Sequence, residues 1–122
     1  MLHTIAQTHA FTRAAKEAGM TENEIASVVD YLADNPMAGD EMPGTGGCRK
    51  FRFAAPGRGK RGGYRIVTFF TGEMMPVFLI TVFSKGERSN LSKEERDRLG
   101  QLTKTIVSEY RARVVQATRK SA

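Results

Sequence analysis

A chain of 122 residues with one cysteine (Cys48) and no apolar run of membrane-spanning length is expected to form a single domain, 1–122, around one hydrophobic core. A disulfide framework is excluded. An N-terminus without a basic stretch leading into an apolar one reads as no secretion signal, so a reducing, cytoplasmic setting away from membranes is expected. The net charge of +6 is local: residues 42–72 hold seven cations and no acid, leaving twelve cations against thirteen acids elsewhere.

Leu2 to Thr8 suits a short strand. From His9 to Ala18, the apolar positions Phe11, Ala14, Ala15 and Ala18 recur at helical spacing, and Gly19 suits the cap. Thr21 with Glu24 forms a capping box, and Ile25, Val28, Val29 and Leu32 follow at i, i+3, i+4 and i+7 until Asn35-Pro36 stops the helix. The period then becomes two. Residues 48–54 put Cys48, Lys50, Arg52 and Ala54 on one face and Arg49, Phe51 and Phe53 on the other.

The stretch APGRGKRGG reads as a connection to a second strand, YRIVTFF, in which Tyr64, Ile66, Thr68 and Phe70 oppose Arg65, Val67 and Phe69. VFLITVFS is apolar enough for a central strand buried on both faces. Ser92 with Glu95 opens a last helix striped by Leu99, Leu102, Ile106 and Tyr110, followed by a basic extension over 111–122. The expected fold is α+β, order β-α-α-β-β-β-α, with helices on one face of a small antiparallel sheet.

Glycine-rich spacing invites nucleotide readings, and each fails on context. Gly57 to Gly62 matches G-x-G-x-x-G but leads into a strand rather than a helix. No Walker lysine is present, and one Arg-Gly-Gly is no RNA-binding tail. His3, His9 and Cys48 do not form a ligand set, so no metal and no cofactor is expected. Cys48 in a strand reads as a small core residue rather than a nucleophile.

What remains is the basic hairpin, whose bland reading is a solvated face over a phenylalanine core. That does not explain thirty-one residues without an acid, so a polyanion site is preferred, with nucleic acid as its target. Lys50 and Arg52 share one strand face, whereas the direction of Arg65 depends on strand register. The segment Ser84-Lys85-Gly86-Glu87-Arg88 is placed to complete a concave basic site.

The combination PGTGG-x-RK-x-R, PGRGKRGGYR and FLITVFSKGERSNLS resembles the RelE/ParE superfamily of bacterial toxins, closest to its HigB-type branch, over about residues 2–108. The resemblance implies a microbial-RNase-like fold and, for many members, cleavage of mRNA in the ribosomal A site. It places the family's catalytic cations on Lys50, Arg52, Arg65 and Lys85, with RNA contacts from Arg49, Arg58, Lys60, Arg61, Tyr64 and Arg88. It also implies a cognate helix-turn-helix antitoxin of the HigA type, with ribosome and mRNA as the other partners. One departure is plain: where RelE has an mRNA-orienting tyrosine, this chain has Ser92, so base stacking is expected from Tyr64 or from ribosomal RNA.

Such a site has to work with neither histidine nor glutamate. Arginines keep their protons and serve as clamps for charge on phosphorus. A lysine crowded by cations gives up its proton more readily, making Lys50 the expected general base. Two other functions compete: a ParE-like protein that inhibits DNA gyrase without chemistry, and a plain RNA-binding module. Members of the ParE type generally lack the full set of basic residues, which ranks the gyrase reading behind the nuclease.

Overall fold

The computed structural model describes residues 3–54, 63–72, 74–84 and 91–121, with backbone alone beyond Tyr110. Strand β1 (Ile5–Gln7) leads to helices α1 (His9–Ala18) and α2 (Glu22–Asp34). Strands β2 (Asp40–Glu41), β3 (Cys48–Ala54), β4 (Gly63–Phe69) and β5 (Val77–Ser84) follow, and helix α3 (Lys93–Ser121) closes the chain. The strands form one sheet in the order β1-β5-β4-β3-β2. Strands β2 to β5 pair antiparallel, while β1 runs parallel to β5.

Local chemistry accounts for the element boundaries. The Thr8 hydroxyl accepts from the Phe11 backbone N–H and donates to the Leu79 carbonyl, tying the start of α1 to the central strand. Gly19 ends α1 at φ +79°, a left-handed conformation that glycine adopts without steric cost. The capping box at Thr21 is formed in both directions with Glu24.

Helices cover both faces of the sheet, not one. On one side, Phe11 and Ala15 of α1 and Val28 and Leu32 of α2 pack on Tyr64, Ile66, Leu79 and Val82, with Phe51 and Phe53 at the margin. On the other, Leu99, Ile106 and Val107 of α3 cover Cys48, Val67, Phe69, Ile80 and Phe83. The reason lies in β5. Its register against β4 shifts between Val67 and Thr68, so Thr81 faces Val67 while Leu79 faces Thr68. The extra residue, Ile80, turns to the α3 side with Phe83, leaving Leu79 and Val82 for α1 and α2. A strand apolar on both faces needs a cover on each.

The two-residue strand β2 was not expected from sequence, because two acidic residues carry no strand signal. It is held by pairing Asp40 with Lys50 and Glu41 with Arg49.

Candidate nucleic-acid interface

The site is built on the α3 side of the β3–β4 ladder. Alternation along β3 sends Phe51 and Phe53 to the α1/α2 core, so Cys48, Lys50 and Arg52 share the opposite face. The register then settles Arg65: it stands directly opposite Arg52, next to Phe83 on its other side. Directly opposed residues in an antiparallel pair hold their Cβ atoms about 5 Å apart, and like charges there are destabilising. Lys50 is the next residue along the same row, opposite Val67.

The acids of β2 reach only part of this row. Asp40 is the cross-strand neighbour of Lys50, and β2 ends before Arg52. Charge is therefore offset at one end of the row and concentrated at the other. Lys50 also lines an open cleft of about 400 Å³ with Glu41, Met42, Pro43, Leu91 and Arg96. The cleft lies between the start of β3 and the first turn of α3. Glu41, paired with Arg49 across the ladder, contributes to its wall. Arg96 was missed by the sequence reading, since it sits in the last helix with nothing local to tie it to Lys50.

Other expected site residues lie elsewhere. Arg49 points away from the row, and its guanidinium donates to the carbonyls of Met37 (3.3 Å) and Gly39 (3.0 Å), which fastens the α2–β2 connection to β3. Tyr64 belongs to the α1/α2 core at 3% exposure, its hydroxyl donating to the Glu24 carboxylate at 3.3 Å. A ring buried there is not placed to stack on a base at the cationic row. Arg58, Lys60, Arg61, Lys85 and Arg88 lie outside the described residues.

The GTGG turn, residues 44–47, is built to dock α3. Thr45 is fully buried, its hydroxyl donating to the Met42 carbonyl at 2.6 Å and accepting from the Cys48 N–H at 3.1 Å. Its carbonyl accepts from the Thr103 hydroxyl of α3 at 2.9 Å. Gly46 has φ +77°, and a Cβ there would meet the Thr103 hydroxyl at 3.0 Å; one on Gly100 of α3 would meet the Gly44 carbonyl at 2.9 Å. The glycines let α3 dock against the turn that precedes β3, fixing the cleft wall relative to Lys50.

Cys48 is fully buried, and burial pushes its thiol up to about 11, with the hydrogen bond to Thr45 pulling weakly the other way. A thiol held neutral in a core is no nucleophile at physiological pH. Among the described residues, no cluster of three or more His, Cys, Asp or Glu is placed to hold a metal ion, and no helix is long and apolar enough to cross a membrane.

The opposed arginine pair and the neighbouring lysine concentrate positive charge on one face of this α+β sheet. Residues 3–122 match the family model described as the RelE toxin of the RelE/RelB toxin–antitoxin system, and the chain belongs to that toxin family. Among solved structures, it is similar to the E. coli toxin RelE, in a double arginine-to-alanine mutant in the free state. The sequence identity is 21% and the TM-score 0.48, over 71% of this chain and 87% of that one.

Proposed function

We propose that this toxin is a ribosome-dependent endoribonuclease that cuts mRNA in the A site, stops translation and is neutralised by a cognate antitoxin of the HigA type. Family membership supports the toxin class, and the observation that carries the chemistry is the opposition of Arg52 and Arg65 with Lys50 beside them. Two arginines face to face destabilise the free sheet, and a phosphate between them would relieve the repulsion.

The reaction this arrangement suits is attack of an RNA 2′-oxygen on the adjacent phosphorus. The 2′-hydroxyl proton goes to the base, the new O2′–P bond forms, and the P–O5′ bond breaks. The products are a 2′,3′-cyclic phosphate and a 5′-hydroxyl, the departing oxygen taking a proton from water. Arg65 and Arg52 clamp the charge on phosphorus, and Lys50 takes the 2′-hydroxyl proton.

Inducing wild type, Lys50→Ala and Arg65→Ala in cells and mapping mRNA 5′ ends tests the reading. Losing one clamp or the base is expected to cut cleavage by about 10²-fold or more. Full cleavage by both Lys50→Ala and Arg65→Ala sinks the assignment. Stalled gyrase with intact mRNA moves the chain to the ParE-like class.

A further inference from the structure

The cleft beside Lys50 holds a second cation whose position stability does not explain. Arg96 begins the stripe along which α3 faces the sheet and the GTGG turn. Leu99 follows at i+3, Gly100 at i+4, Thr103 at i+7 and Ile106 at i+10. Leu99 and Thr103 are buried, and Gly100 abuts the Gly44 backbone. An apolar residue would continue that stripe over Met42 and Leu91, yet an arginine stands there.

The helix terminus does not favour it either. Arg96 lies in the first turn after the Ser92–Glu95 capping box, its own N–H donating to the Ser92 carbonyl at 3.0 Å. The helix N-terminus carries positive partial charge, so a cation there is mildly unfavourable for the helix and reinforces the positive potential of Lys50. Arg98, two residues on, is the contrast: it points outward and pairs with Glu94 at 3.9 Å in an exposed i,i+4 ion pair. Among the described residues lining the cleft, Glu41 is the acidic one.

Resting on the RNA reading above, we infer that Arg96 is a substrate-positioning residue that grips an RNA phosphate neighbouring the one held at Lys50, Arg52 and Arg65. Lys50 is common to the strand row and to the cleft, so an RNA strand laid on the row runs on past Lys50 to Arg96. The contact involves no proton transfer; it adds one charge-assisted phosphate bond and fixes the strand's direction across the sheet.

The test is binding of a short single-stranded RNA oligonucleotide to the full chain, followed by fluorescence anisotropy over a series of KCl concentrations. Arg96→Met keeps an unbranched aliphatic stem and removes the charge; Arg96→Lys keeps the charge; Arg98→Ala removes an equal charge outside the cleft. Arg96→Met is expected to bind severalfold more weakly, with a log–log salt slope shallower by about 0.7, the share of one phosphate on a single strand. Arg96→Lys should retain most of the affinity, and Arg98→Ala should keep the wild-type slope.

Thermal melts of each variant show that the comparison is between folded proteins. If Arg96→Met and wild type give the same affinity and slope, the residue is a packing residue and the inference fails while the RNA reading stands. Equal flattening by Arg98→Ala overturns it as well, by showing a general charge effect. Wild-type protein that binds no RNA overturns this contact, while the ribosome-dependent reading is judged separately by the mapping of mRNA 5′ ends.

Discussion

Arg52 and Arg65 oppose each other across the ladder, an arrangement a sheet selected for stability would avoid. A second residue-scale conflict is Thr68, fully buried with no hydrogen-bond partner for its hydroxyl among the described residues. Thr68→Val removes a desolvated donor while keeping the shape. It is expected to raise stability by about 1 kcal/mol in urea unfolding, without touching the cationic row.

Cys48 supplies a pH signature. Its thiol is held neutral up to about 11 in the fold, whereas the unfolded chain releases the proton near 9.0. Between those values the folded state binds one more proton than the unfolded state. Its contribution is therefore complete below pH 9 and falls by about 1.4 kcal/mol per pH unit above it. Unfolding midpoints over pH 9–11 should show that slope in wild type and lose it in Cys48→Ala; equal slopes count against a buried thiol.

At the scale of elements, the junction of the GTGG turn with α3 decides the site's shape. Gly100 is a helical residue, so alanine there gains about 1 kcal/mol of intrinsic helix preference. A Cβ would nonetheless sit 2.9 Å from the Gly44 carbonyl, and backbone does not yield as a side chain does. Gly100→Ala is accordingly expected to destabilise by about 1–3 kcal/mol net. The measurement is a thermal melt, with RNA binding as a second readout, since lifting α3 moves Arg96 away from Lys50. A raised melting temperature would show the contact to be slack.

The capping boxes at Thr21 and Ser92 were legible because each is written in four consecutive residues. The α3 docking was not, because Thr103 meets Thr45 across fifty-eight positions. Nor was the role of Arg49, whose basic strand position read as a phosphate contact while its guanidinium ties down the preceding connection.

For the whole molecule, the sheet separates two hydrophobic clusters, and the cationic row lies on the α3 side, beside the second. Phe69 anchors that cluster at 1% exposure, stacks on Phe78 with ring centroids 6.2 Å apart, and lies under Gly47 of the GTGG turn. Phe69→Ala is expected to cost about 3–5 kcal/mol in chemical denaturation. It should also loosen the GTGG–α3 junction. A loss below about 1 kcal/mol would mean that α3 contributes little to the fold.

Helix starts, strand periods, the alternation that puts Lys50 and Arg52 on one face, and the concentration of charge in residues 42–72 were all determined by the sequence alone, because each is set by neighbours within a few residues. Tertiary structure alone decided that Arg65 meets Arg52, that Arg96 and Glu41 share a cleft with Lys50, and that Tyr64 is buried away from the row. Those facts depend on register and on which sheet face each helix covers. Both are chosen by the packing of two apolar clusters far apart in the chain, which no local pattern encodes.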